Sequence, residues 1–486
     1  VKLVLLIPML AIGCETKATK TSCDSVGEHL AVLHAGRLAN FMTETERKSR
    51  AKQWSETCEP LTDAQRKCVL ASSTKEDADA CTGTSGSGGS ARTPNTDASR
   101  AKWLFRARND GGVVSQLVIA ADGDVIAAGH FNRKLVLDEK HTLDVKAKDV
   151  FTAENSVWVA RLSPAGEVRW ARTVGGVGDR REVSQLWSTT DGTIVMDIAS
   201  NTAPHYARTT VAADGSAETV TDLRLDSDRI VATALRADGV VVSGALGAKD
   251  PCGSSTFPVH QIDRKRATAW SACSDVSSDT ESAGSQYLVV SADGRTTLCG
   301  KYLGPAPTWG GSKGPETIPG TQSFVVSFGS DGKHRWTQYV TSPNYGRCEG
   351  LAATGDGVAA IIYGEKPKHG IVTWKSDGTA EWAKECDELL AGDGECAVTA
   401  ITSHDSDIIV AVQNGGRTAI SRLDAKSGAT KKTHVFEDGQ KIYVLAATAT
   451  TIVFGTSLYA EADFGTGALT PTNPDSRTGD VVIGAL

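Results

Sequence analysis

One pattern recurs seven times between Trp103 and Leu486, and its period constrains the fold more than any single residue does. Four copies place a turn just before a tryptophan: Gly166 before Trp170, Arg266 before Trp270, Asp331-Gly332 before Trp336 and Asp377-Gly378 before Trp382. Three weaker copies start near Trp103, Val220 and His434. Starts about every 46–67 residues belong to solenoids and propellers rather than to one compact α/β domain.

Each copy reads as four short strands. After the tryptophan strand and an apolar stretch comes a turn, at Asp122-Gly123, Asp191-Gly192, Asp238-Gly239, Asp293-Gly294, Asp356-Gly357, Asp405-Ser406 or Thr450-Thr451. Asp-Gly before a β-branched run signals a hairpin, because Gly supplies positive φ without steric cost. The next strand is small and apolar (125–129, 194–198, 240–244, 297–300, 358–364, 408–412, 452–455), and a fourth follows (157–162, 206–211, 259–262, 324–328, 371–374, 418–423, 481–486). Seven such units predict an all-β, seven-bladed β-propeller over 101–486. The last unit lacks a tryptophan strand and the first begins with a surplus one, 102–107. Pairing the two leaves no open sheet edge.

The run from Trp170 through Gly175, Gly176, Gly178 and Asp179, with the Asp191-Gly192 turn and the segment Asp480 to Leu486, resembles the β-propeller repeats of secreted and lipid-anchored bacterial proteins, especially of myxobacteria. The resemblance covers about four fifths of the chain and implies the fold while leaving function open. A second, local resemblance lies at Leu423-Asp424-Ala425-Lys426-Ser427-Gly428-Ala429, which is similar to the repeat of quinoprotein-type propellers. That family holds quinone-dependent dehydrogenases and the propeller lipoprotein of outer-membrane assembly. It has eight units, however, and no adjacent-cysteine pair or metal-carboxylate set for a quinone is visible here.

Residues 1–14 carry one Lys, an apolar run too short to span a bilayer, and a small residue before Cys14. This predicts a secretory signal. Ala11-Ile12-Gly13-Cys14 resembles a bacterial lipobox with its Leu one place early, at Leu10, so Cys14 is expected to be lipidated. The protein is then exported and held on the bacterial outer membrane by its N-terminal lipid.

Cysteine usage agrees with export. Of 11 Cys, Cys14 apart, four (Cys23, Cys58, Cys68, Cys81) precede the propeller and six (Cys252, Cys273, Cys299, Cys348, Cys386, Cys396) lie in it. Even sets in an exported chain point to disulfides, and with no CxxC neither a zinc knuckle nor a thioredoxin-like site is supported. Neighbouring positions suggest Cys252–Cys273, Cys299–Cys348 and Cys386–Cys396. The first four allow three connectivities.

Residues 15–82 form a small helical domain by composition, with Val26, Leu30, Leu33, Leu38 and Phe41 at helical spacing and Thr62 placed to cap a further helix around Cys68. So small a unit needs its disulfides. The Gly/Ser-rich stretch 83–100 is a linker spanning about 20–25 Å as a flexible coil.

Chemistry is harder to find. A net charge of −7 without a basic block argues against nucleic-acid binding. No HExxH, GxSxG or phosphate-binding loop occurs, and the His residues (His130, His205, His260, His334, His404) fall at unequal repeat positions, so no catalytic set, metal or cofactor is expected. Asp122-Gly-Asp124, Asp226-Ser-Asp228 and Asp405-Ser-Asp407 read as turns rather than calcium loops. Trp170, Trp270, Trp336 and Trp382 recur at one repeat position and read as packing between blades. Non-repeated aromatics are better ligand candidates: Trp187, Tyr206, Tyr345 and above all Trp309, in a Gly/Pro-rich insertion at 304–316. The resulting expectation is a non-catalytic scaffold that binds an envelope protein or polysaccharide through its loop-bearing face. The alternatives are an outer-membrane assembly-type propeller lipoprotein, or a lyase or glycosidase with carboxylates at the axis.

Overall fold

The computed structural model describes residues 22–35, 48, 51–52, 58, 61–72, 81, 100–109, 112–144, 156–174, 181–200, 206–222, 230–236, 239–244, 250–253, 255, 257–263, 267–275, 287–311, 314, 321–340, 346–364, 369–392, 394–472 and 479–486. Cys14, Leu38, Phe41, Tyr345, Asp226, Asp228 and nearly all of the 83–100 stretch lie outside them. The chain divides into two compact units, 1–96 and 97–486.

In the first unit, helix α1 (Cys23–Ala35) and helix α2 (Asp63–Ala71) enclose Val26, Leu30, Cys58 and Val69. Thr62 caps α2 through a reciprocal pair: its Oγ1 accepts from Gln65 N at 3.3 Å, and Gln65 Oε1 accepts from Thr62 N at 2.9 Å. The open connectivity resolves as Cys23–Cys58 and Cys68–Cys81.

The second unit is a seven-bladed propeller of four-stranded antiparallel sheets. Blades 1 to 7 span 113–174, 181–222, 230–272, 287–340, 347–385, 396–436 and 442–485, the last completed from the other end of the unit. Their first strands contact one another in cyclic order, and blade 7 returns to blade 1. The ring closes as expected: Trp103–Asn109 lies antiparallel to Asp480–Ala485, in register from Trp103↔Ala485 to Ala107↔Val481. What the repeat pattern missed is a short hairpin, Lys134–Val136 with Thr142–Asp144, that leaves blade 1 and pairs with Arg108 and Asn109. It extends the closing sheet to six strands. Strands of three residues are too short to show a period.

The core lies between blades. Ile126 and Val159 of blade 1, for example, pack with Val183, Leu186 and Met196 of blade 2. Along one rim the repeated tryptophans fasten five of the seven blades to the next. The indole N–H groups of Trp103, Trp170, Trp336 and Trp382 donate to the carbonyls of Pro164, Ala213, Ser376 and Ala425 in the following blade, at 2.8–3.0 Å. Each ring covers the turn glycine of that blade, and Trp270 does the same over Gly332. The quinoprotein-like segment 423–429 is one such turn, with Gly428 under Trp382. In the weak copy on Thr430–Phe436 the residue in tryptophan register is Lys432, opposite Arg422, rather than His434.

Two of the Asp-Gly turns depart from expectation. Gly239 and Gly357 do not have positive φ. They are small because a Cβ there would stand 2.0 Å from the carbonyl oxygens of Ile262 and Trp374. Gly378 shows both constraints together, with φ +85° and a Cβ that would meet Trp336 Cγ at 2.6 Å. Gly378→Ala is therefore expected to cost about 2–4 kcal/mol, from left-handed backbone and overpacking together. Calorimetry of the variant should show a clearly lowered melting temperature.

His434 gives the propeller a pH dependence. Burial, then the charges of Lys432 and Lys102, hold its imidazole down to about 4, against an ordinary value of 6.5. Between those values the unfolded chain takes up a proton that the folded chain refuses. Stability is therefore complete above pH 6.5 and declines as pH falls towards 4. The denaturant midpoint should be lower at pH 5 than at pH 7, and His434→Gln should shrink that difference.

Candidate functional site

The antiparallel course of the blades sorts their connections onto two faces. One carries the tight turns, such as those closed by Gly123 N to Ala120 O at 2.9 Å and Gly378 N to Lys375 O at 3.0 Å. The other carries the longer connections, including those that leave Phe131, Leu303 and Leu458. Cys252–Cys273 and Cys386–Cys396 cross-link connections on this loop-bearing face, and Cys299–Cys348 joins blades 4 and 5. All three pairs match those expected from position, and they mark a protein of an oxidising compartment.

The acidic turns on the opposite face are occupied by cations of the protein itself. Arg161 Nε donates to Asp124 at 2.7 Å and its Nη2 to Asp122 at 2.5 Å, while Asp407 takes Arg422 and Lys431. Those guanidinium groups also reach the next blade, as Arg161 does to Ala213 O at 3.0 Å and Arg422 to Thr448 O at 2.7 Å. These carboxylates serve packing between blades.

Among the described residues the large exposed apolar side chains are Val220, Tyr287, Leu303, Tyr443 and Tyr459. Four of the five sit where inner strands open onto the loop-bearing face. Tyr287 begins the first strand of blade 4 (Tyr287–Val290) and Leu303 ends its second (Thr296–Leu303). In blade 7, Tyr443 is the bulged residue of Ile442–Ala447, and Tyr459 follows Ile452–Leu458. The bulge removes Tyr443 from the ladder and re-aims its side chain. Lys441 Nζ lies 5.4 Å from the Tyr443 ring centroid. Desolvation and the nearby Tyr459 raise the Tyr443 phenol above its usual pKa.

Blade 5 adds a polar cluster at the same level. Arg347 pairs with Glu349, and His369 Nε2 lies 3.6 Å from the other Glu349 oxygen. The Tyr363 ring meets His369 edge-on at 5.1 Å and has Arg347 Cζ 5.8 Å from its centroid. Burial depresses His369 despite the opposing pull of Glu349, so its imidazole is neutral near pH 7. The phenol of Tyr287 in blade 4 is raised by desolvation and by the Glu349 carboxylate. Tyrosines, an arginine and a carboxylate therefore lie at the loop-bearing ends of inner strands in blades 4, 5 and 7, and tyrosine and arginine are residue types that dominate protein-recognition hot spots.

The ligand candidates read from sequence fall elsewhere. Trp309 is only 1% exposed, its ring 5.1 Å from Phe324 and 6.1 Å from Phe328, so its face is taken by the core. The insertion is pinned around it by Tyr339 Oη to Pro307 O at 2.7 Å and Thr308 Oγ1 to Asp275 at 2.8 Å. Long as it is, the segment plugs blade 4 instead of presenting an aromatic platform. Trp187 sits near the turn-bearing end of Arg181–Ser188 with Arg208 stacked 4.9 Å over its ring. Tyr206 begins the third strand of blade 2. Non-repetition, the criterion that picked these residues, applies equally to Tyr443 and Tyr459, which it passed over.

No protein-family profile matches the sequence, and no curated protein matches it. Solved structures do. The chain is similar to BamB from Moraxella catarrhalis, at 11% identity and TM-score 0.39 over 80% of this chain and 100% of that one. It is similar also to the Dos1 propeller, at 7% and 0.44 over 79% and 94%. A third likeness is to the β-propeller domain of the Trilobed protease from Pyrococcus furiosus, at 8% and 0.41 over 71% and 91%. At such identities the likeness is one of architecture alone.

Proposed function

We propose that this protein is an exported, lipid-anchored, non-catalytic propeller that binds another protein of the cell envelope through the mouth of its loop-bearing face. The observation that carries the reading is the exposure of Tyr287, Leu303, Tyr443 and Tyr459 at the loop-bearing ends of inner strands, with Arg347 and Glu349 at the same end of blade 5. Packing between blades accounts for the repeated tryptophans but leaves these side chains in water. A tyrosine combines a large rigid contact surface with a polar tip, at low entropic cost on binding.

Replacing Tyr443 and Tyr459 together by Ala should leave folding intact, since both are exposed, and should weaken partner binding by about tenfold or more if either is a hot spot. The check is capture from envelope extracts on immobilised protein, followed by titration of the captured partner against wild type and variant. Equal binding would remove the mouth from consideration. Glycan turnover by the wild type, lost in Glu349→Gln, would instead favour a carbohydrate-active enzyme.

Anchoring rests on Ala11-Ile12-Gly13-Cys14. With the signal cleaved, a lipid on Cys14 supplies the attachment. Among the described residues no helix is long and apolar enough to cross a membrane. Expressed with its signal, the Cys14→Ser protein should move from the membrane fraction to the soluble fraction. Unchanged partitioning of a correctly cleaved variant would overturn the anchor.

A further inference from the structure

Blade 3 holds a cluster of ligand-capable side chains away from the tyrosines. Asp250 and Cys252 lie on the connection that leaves its second strand, His260 on its third strand (Val259–Asp263), and Ser271 and Cys273 at the end of its outer strand. The ligand-capable atoms of Asp250, Cys252 and His260 all lie within 4.8 Å of one another. The side chains of His260 and Asp250 are 0% and 2% exposed.

The geometry suits a metal site as well as a long hydrogen bond between His260 and Asp250. His260 Nε2 stands 3.3 Å from Asp250 Oδ2. A charge-assisted N–H to carboxylate bond is about 2.7–2.9 Å, whereas two ligands each about 2.0–2.1 Å from a tetrahedral zinc ion stand about 3.3 Å apart. The other atom of each side chain is already engaged. His260 Nδ1 pairs with Ser271 Oγ at 2.8 Å, and Asp250 Oδ1 accepts from Cys252 N at 2.6 Å. An outer partner on the second ring nitrogen is what fixes the orientation of a zinc-ligating histidine.

The obstacle is that Cys252 is bonded to Cys273, and a disulfide sulfur is not a thiolate. That obstacle defines a switch. We propose that Cys252, Cys273, His260 and Asp250 form a zinc site that replaces the Cys252–Cys273 disulfide when a dithiol reduces it. Two electrons and two protons pass from the dithiol to the disulfide, giving two cysteine thiols and an oxidised dithiol. Zinc then binds both sulfurs as thiolates and releases the two thiol protons. Oxidation by a disulfide reverses the exchange and expels the ion.

The ligands stay in place through the exchange, because other bonds hold the connection. Ser255 and Ser274 pair through their hydroxyls at 2.9 Å, Ser274 N donates to Ser255 Oγ at 2.9 Å, and Phe257 N donates to Ser274 Oγ at 3.2 Å. Disulfide and zinc are thus alternative clasps on one loop of the loop-bearing face.

The test uses the full-length protein, reduced by a dithiol that is then removed under anaerobic conditions. Zinc should slow alkylation of Cys252 and Cys273 by iodoacetamide about tenfold or more, while Cys386 and Cys396, which belong to no such ligand cluster among the described residues, should be protected far less. Ser271→Ala should lower zinc affinity about 10–100-fold with the propeller's melting temperature nearly unchanged, and His260→Asn should abolish the protection. Full-length Cys273→Ser gives a second route without reductant: cobalt should bind with a thiolate charge-transfer band that His260→Asn removes. Zinc that leaves the alkylation of Cys252 unchanged, or protection and cobalt binding that persist in His260→Asn, would overturn the proposal.

Discussion

Everything in the propeller depends on one strand pair, Trp103–Asn109 against Asp480–Ala485. A ring of sheets whose inner strands meet in a cycle has no free end only if its last blade is complete, and this pair completes it. The seam is reinforced by charge. Arg106 donates to Asp480 from Nε at 2.9 Å and from Nη2 at 2.5 Å, and Asp480, whose side chain is 2% exposed, also accepts from Thr472 N at 2.9 Å. Removing one partner of such a buried pair would leave a charge uncompensated, at a cost of about 3–5 kcal/mol. The seam is therefore specified by both hydrogen-bonded register and a charge that tolerates no slip.

Closure also divides labour between the two faces. On the turn-bearing face five of the seven blades meet the next through an indole over a turn glycine, four of those with an indole N–H to a carbonyl, and blade 6 reaches blade 7 through the Arg422 guanidinium instead. Those devices need short turns of fixed geometry and leave little room to vary. Near the loop-bearing face a β-bulge recurs in the first strand of six blades, but no indole or guanidinium tie recurs there among the described residues. Its connections differ in length, disulfides hold them, and exposed tyrosines collect there. Variation is tolerated where closure does not depend on it.

Legibility followed that division. The strands, the closing pair and the blade-to-blade role of the tryptophans could be read because each recurs, so that one position supports another. Gly357 was read correctly as necessary but for the wrong reason, since close approach to Trp374 and positive φ both demand glycine and sequence does not separate them. Trp309 was misplaced because a Gly/Pro-rich insertion suggests a surface loop, while burial of one indole against Phe324 and Phe328 is a tertiary fact. Tyr443 becomes conspicuous only once a bulge takes it out of the ladder. The Asp250–His260 contact joins a loop to a strand and has no spacing signature at all.

Cross-links on the loop-bearing face have a physical logic of their own. A long connection loses more conformational entropy on ordering than a two-residue turn, and it buries little apolar surface in return. Either apolar burial or a covalent tie must offset that loss. Blade 4 uses the first solution, sinking Trp309 into its core to hold 304–311. Blades 3 and 5 use the second, through Cys252–Cys273 and Cys386–Cys396. A loop held by a buried ring is fixed whatever the redox state, whereas a loop held by sulfur inherits the chemistry of its surroundings. The loop-bearing face thus combines one long connection fixed by apolar burial with others held by disulfides, which reduction opens.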